Sequence, residues 1–131
     1  PQYDSPVTEV LAFLQERIQQ ATAAGIPAER ICIDPGFGFG KSLSHNLQLV
    51  NALPELVALG YPVLVGFSNK SMIGKITGRG VHDRNAGTIA LNMLALQAGV
   101  QILRVHNVRA TADTIKIWNA CKDAGKRENN D

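Results

Sequence analysis

Apolar residues recur along this chain at two alternating periods. Val7, Val10, Leu11, Leu14 and Ile18 fall at helical spacing and make one stripe. Ser5 as N-cap, with Pro6 in the first turn, starts that helix, and Gly25 and Pro27 stop it. Ile31-Cys32-Ile33 is a short, wholly apolar run that ends at Asp34-Pro35 and is predicted to be a buried strand. A glycine-rich loop, Gly36 to Gly40, leads to Lys41. Ser44 is then read as the cap of a second helix with Leu47, Val50 and Leu53 inward, which Pro54 breaks or restarts and Gly60 ends.

The same alternation repeats twice more. Pro62 to Gly66 reads as a second buried strand, and Phe67 to Arg84 as a polar loop with a helical turn over Met72 to Ile76. Ala86, Ile89, Ala90, Met93 and Leu94 mark a helix from about Asn85 to Ala98, closed by Gly99. Gln101 to His106 is the third strand. Asn107 caps a last helix with Ala112, Ile115 and Trp118 inward, and the polar tail from Gly125 reads as frayed. Strands alternating with helices predict an α/β fold with a parallel sheet. Strands apolar on both sides predict cover on both faces.

Composition narrows the function. The chain has 131 residues, 45% of them hydrophobic and 18% charged, enough for a core within one domain or part of one. Thirteen Lys+Arg against eleven Asp+Glu leave a net charge of +2, and only Lys126-Arg127 forms a basic cluster. That balance argues against a nucleic-acid or membrane partner. No apolar run approaches the roughly 20 residues of a bilayer span, and no secretory signal is visible. Cys32 and Cys121 make no disulfide framework, are read as inert packing, and fit a reducing, cytoplasmic setting. The first residue is Pro1 rather than Met, running directly into helical sequence, so the chain is expected to be a piece of something longer.

The chemistry gathers at strand ends. Asp34-Pro35-Gly36-Phe37-Gly38-Phe39-Gly40-Lys41 is the most unusual stretch. It fails the Walker A spacing, because Pro35 stands where glycine is required, and it fails the dinucleotide fingerprint as well, which counts against a generic nucleotide-phosphate binder. A flexible connection is the bland reading. Against it, an Asp at the end of a buried strand needs a donor, alternating glycines admit close approach, and Phe37 and Phe39 call for something to cover. Ligands bind at the C-terminal ends of strands in α/β proteins. Asp34, then Gly66 with Ser68 and Lys70, then Arg104 and His106 all stand there. Arg104 and His106 lie two apart, so they share a side of their strand, and with the following helix start they make an anion site. The competing reading is an ordinary salt bridge from Arg104 and a packed His106. His45 and His82 read as surface residues, Asn69-Lys70-Ser71 as a chance glycosylation pattern, and no Cys/His spacing suggests zinc.

Three segments together resemble the dihydropteroate synthase family: Ile33 to Lys41 (I-D-P-G-F-G-F-G-K), Val65 to Gly74 (V-G-F-S-N-K-S-M-I-G) and Ile102 to Val108 (I-L-R-V-H-N-V). The resemblance implies a TIM (β/α)8 barrel, of which this chain would be the C-terminal strand-helix units, since a whole barrel takes roughly 250 residues and eight strands. It implies condensation of 6-hydroxymethyl-7,8-dihydropterin pyrophosphate with 4-aminobenzoate to give 7,8-dihydropteroate and pyrophosphate, with sulfonamides as competitors. By matching motif, Asp34 would accept hydrogen bonds from the pterin, and Lys70 would bond the pterin and border the aminobenzoate pocket. Gly66 would admit the pterin, Phe39 and Ser68 would line the aminobenzoate side, and Arg104 would lie against the pterin and help hold the pyrophosphate, with His106 on the same anion. Position 69 is Asn where the family's S-R-K-S has arginine. Magnesium is implied as cofactor, with ligands in the N-terminal part outside this sequence, so no metal ligand is assigned here. Implied partners are the two small substrates and either a second copy or the missing barrel half, and the chain alone is expected to be a poor catalyst or none. The rival readings are another pterin-binding barrel, such as a corrinoid methyltransferase domain, and a non-enzymatic truncated module that binds pterin or dimerises.

Overall fold

A computed structural model describes residues 5–130, with side chains through Lys126. The order is α1 (Pro6–Ala23), a 3-10 turn (Ala28–Arg30), α2 (Leu43–Asn51), α3 (Leu53–Val57), β1 (Leu64–Val65), α4 (Ser71–Thr77), α5 (Asn85–Ala98), β2 (Ile102–Leu103) and α6 (Val108–Asn130). The chain is α/β with parallel strands. Leu64 pairs with Ile102 and Val65 with Leu103. Ile33 makes a single parallel bridge to Val63, so β1 lies between that segment and β2. The three segments lie side by side in chain order, each separated from the next by helix.

The local chemistry explains the helix starts. Ser5 Oγ accepts the Thr8 amide at 3.1 Å, and Pro6 needs no amide partner in the first turn. The α2 cap is Ser42, not Ser44: its hydroxyl accepts the His45 amide. Pro54 falls in the first turn of α3, where its missing N–H costs nothing, so the helix restarts there. Asn107 Oδ1 accepts the Ala110 amide at 3.0 Å and caps α6. That helix runs on to Asn130, through the polar tail that begins at Gly125; the side chain of Arg127 lies outside those described.

The core lies on one face of the sheet. Ile33, Val63 and Val65 are buried against Leu49, Leu53, Leu56, Phe67, Met72, Ile73 and Ala95. Residues of opposite parity fare differently, because side chains alternate across a strand. Cys32 is exposed, Leu64 half-buried and Ile102 38% exposed, so the expectation of cover on both faces fails. Cys32 is thus exposed rather than packed, and so is Cys121 on α6.

Two helix faces also depart from the pattern. On α2 the inner residues are Asn46 and Leu49, while Leu47 is exposed. On α5 they are Thr88, Leu91, Asn92, Ala95 and Leu96, and Leu94, Ala86 and Ala90 are exposed. Alpha5 is apolar nearly all round, so periodicity alone cannot choose its buried side. On α6 the buried residues are Thr111 and Thr114, with Ala112, Ile115 and Trp118 half-buried.

Candidate active site

Each strand ends in residues of the uncovered parity: Asp34 two beyond Cys32, Gly66 two beyond Leu64, and Arg104 and His106 beyond Ile102. They share one face for the reason Arg104 and His106 share a side, the period-2 alternation carried across aligned parallel strands.

Arg104 lies across Gly66. A methyl group there would come within 2.7 Å of its Nη2 and 3.0 Å of its Nε, so glycine makes the room the guanidinium occupies. From that position Nη1 stands 3.8 Å from Asp34 Oδ2. This is a loose ion pair between half-exposed groups, and such pairs contribute little to stability. Both groups keep their capacity for a ligand. Asp34 Oδ1 accepts the Gly36 amide at 2.8 Å, which turns the chain out of the strand.

The glycine loop is held rather than flexible. Gly36, Gly38 and Gly40 all lie at positive φ, a conformation that side-chain-bearing residues resist. Lys41 Nζ donates to the Gly36 carbonyl at 2.8 Å and to the Phe39 carbonyl at 3.4 Å. Buried Asn46 accepts the Gly38 amide at 3.0 Å. Phe37 packs inward, its ring 4.6 Å from that of Phe67. Phe39 is 70% exposed, with Lys70 Nζ 5.1 Å above its ring. One phenylalanine thus builds the core and the other stands free beside the site.

Lys70 bridges loop and strand ends. Its Nζ donates to the Phe37 carbonyl at 2.6 Å. Partial burial, and next the neighbouring Arg104 charge, hold its pKa below the ordinary lysine value, against the pull of Asp34. Ser68 Oγ lies 2.6 Å from His106 Nδ1 and accepts the His106 amide at 3.2 Å. Gly66, Ser68, Lys70, Arg104, Val105 and His106 line a cavity of about 210 Å³. The structure therefore brings together Asp34, Gly66, Ser68, Lys70, Arg104 and His106, with Phe39 at the rim. Three of these side chains are cationic or N–H donors and one is a carboxylate, a set suited to an anionic, hydrogen-bonding ligand. His45 and His82 are exposed. Among the described residues, no group of three His, Cys, Asp or Glu could hold a metal ion.

Sequence reasoning missed the residues that hold the site. Asn46 had a readable signal: it stands three before Leu49 and seven before Leu53, a polar residue on an apolar line. Lys41 stood at the end of the glycine-rich motif, but its hold on that loop's own Gly36 and Phe39 carbonyls was not read from it; Arg84 and Thr88 had no signal, since the Asn69 backbone groups they hold lie on another segment.

A family model described as pterin binding enzyme matches residues 1–106. The chain is 48% identical over 124 residues to dihydropteroate synthase of Haemophilus influenzae, covering 95% of this chain and 45% of that protein. It is 40% identical to the Escherichia coli dihydropteroate synthase, covering 44% of it. Among solved structures, dihydropteroate synthase from Xanthomonas albilineans in complex with 7,8-dihydropteroate superposes with a TM-score of 0.89 at 51% identity, over 93% of this chain and 47% of that one. A Yersinia pestis dihydropteroate synthase with a sulfonamide drug complex gives 0.89 at 41%, over 95% and 45%. The chain thus spans about half the length of the relatives it matches. No helix among the described residues is long and apolar enough to cross a membrane.

Proposed function

The chain belongs to the family of pterin-binding enzymes, and we propose that residues 1–131 are the C-terminal part of a dihydropteroate synthase barrel. Consecutive parallel strands with one face open support a segment of a (β/α)8 barrel whose interior is completed by strand-helix units outside these residues. Relatives at 40–48% identity that carry the synthase name favour this reading over a corrinoid methyltransferase domain.

The reaction proposed is condensation of 6-hydroxymethyl-7,8-dihydropterin pyrophosphate with 4-aminobenzoate, in the cytoplasm. The pterin C–O bond breaks, and the departing pyrophosphate gains negative charge. Arg104 and His106 stabilise that charge where it develops, which lowers the barrier more than ground-state binding would. Asp34 accepts hydrogen bonds from the pterin and favours its developing positive charge. Lys70, fixed on the Phe37 carbonyl, borders both substrates. Gly66 leaves room for the Arg104 guanidinium, which lies against the pterin, and Phe39 and Ser68 line the aminobenzoate side. The aminobenzoate amine attacks the pterin carbon, so no protein nucleophile is required. Magnesium is implied by the family, and the described residues hold no cluster of three His, Cys, Asp or Glu that could bind it.

The observation that carries this reading is the convergence of Asp34, Lys70 and Arg104 on the open face at the strand ends. An uncovered apolar face also calls for a covering partner, either the other barrel half or a second copy. Calorimetric titration of the pterin pyrophosphate into the folded chain, beside Asp34→Ala, tests it. Binding lost in the variant supports a pterin on Asp34. Binding that survives unchanged refutes that role, and normal turnover by the monomeric 131-residue chain refutes the need for a complement.

A further inference from the structure

Ser68 and Lys70 both reach the site, and they flank a residue in the left-handed conformation. Asn69 has φ 56°, the only positive φ outside glycine among the described residues. That turn is uncommon outside glycine, and contacts around it fix it in place. Here both backbone groups of Asn69 are taken. Its amide donates to Thr88 Oγ1 at 3.1 Å, and its carbonyl accepts Arg84 Nη1 at 3.0 Å.

The two holders are tied to each other and to the next loop. Thr88, 5% exposed on α5, donates its hydroxyl to the Arg84 carbonyl at 2.9 Å. Arg84 Nε donates to the Arg79 carbonyl at 3.3 Å. The Arg84 guanidinium lies on Gly74 of α4, where any Cβ would overlap it. One arginine therefore spans the segment before α4, α4 itself and the loop after it.

We infer that Arg84 and Thr88 are positioning residues, a clamp on Asn69 that sets Ser68 on His106 and Lys70 on the Phe37 carbonyl. The inference rests on the reading of Lys70 and His106 as site residues. Asn69's side chain plays no part in the clamp, which is why an asparagine can stand there: it is among the side-chain-bearing residues that best tolerate this φ.

The test uses the 131-residue chain and needs no substrate, so its failure is separate from a failure of the pterin reading, which the Asp34→Ala titration decides. Thr88→Val removes the hydroxyl at nearly constant volume, Thr88→Ser restores it, and Arg84→Lys keeps charge but cannot fork between two carbonyls. Circular dichroism establishes folding, and Arg84→Lys replaces Thr88→Val if that variant does not fold. Two NMR signals are read: amide hydrogen exchange at Asn69, and the Lys70 side-chain and His106 ring resonances. In Thr88→Val, Asn69 exchange should accelerate about fivefold, the worth of one hydrogen bond of about 1 kcal/mol. The Lys70 and His106 resonances should move with it, and Thr88→Ser should return both. Unchanged exchange at Asn69 overturns the clamp. Faster exchange with Lys70 and His106 unmoved overturns its positioning role and leaves Arg84 and Thr88 as purely structural.

Discussion

Replacing Gly66 with alanine should separate the site from the fold. Gly66 is buried, but its φ lies outside the left-handed region, so its backbone accepts alanine without strain. The added methyl would sit 2.7 Å from Arg104 Nη2 and 3.1 Å from its Cζ, which forces the guanidinium to swing away. That movement is cheap in stability. The ion pair it breaks, at 3.8 Å with side chains 56% and 38% exposed, is worth about 0–1 kcal/mol. Gly→Ala returns about 0.4–1 kcal/mol by restricting the unfolded chain. Stability should therefore change by no more than about 1 kcal/mol. Anion binding should not escape so lightly. A hydrogen bond from a charged donor is worth about 1.5–3 kcal/mol, or roughly 10- to 150-fold in affinity. Urea unfolding would measure the first quantity. Calorimetric titration with inorganic pyrophosphate, beside Arg104→Ala, would measure the second. If Gly66→Ala binds pyrophosphate like the parent chain while Arg104→Ala does not, the guanidinium works from elsewhere and the reasoning fails.

Asn46→Ala should remove the acceptor of the Gly38 amide, costing about 0.5–1.5 kcal/mol in urea unfolding; no loss would mean the loop is held without it. Gly87→Ala should destabilise α5 against α4 despite alanine's advantage of about 1 kcal/mol in a helix, because the new methyl would overlap Ile73 Cγ2. A higher melting temperature would show that Ile73 yields freely. Lys70 titrates below the ordinary lysine value of 10.5, chiefly through burial and then Arg104. The folded chain then holds fewer protons than the unfolded chain between its lowered midpoint and 10.5. Lys70 therefore costs most stability below that midpoint and progressively less as pH climbs through the window. Comparing urea unfolding of the parent and Lys70→Met across alkaline pH should show a rising slope that the variant lacks, and parallel curves would contradict the shift.

Much of this molecule could be read from local pattern. The limits of α5, Asn85 to Ala98, follow from an apolar run closed by Gly99 in the left-handed conformation. The α1 stripe, its Ser5-Pro6 start and the Asn107 cap are equally local, because a helix start is decided within four residues. The grouping of Asp34, Gly66, Arg104 and His106 was legible too, since strand ends align and parity fixes the side.

Tertiary structure decided what parity and period leave open. Alpha5 is apolar almost all round, so packing of Leu91 and Ala95 against the core, not periodicity, chose its inner face. Cys32 and Ile102 look like core in sequence and lie exposed, because burial depends on what covers the opposite face of the sheet. Arg84 and Thr88 carry no motif, and they act on the backbone of Asn69 on another segment. A side chain's chemistry can be read where it stands in the chain, but the acceptor it reaches is chosen by the fold.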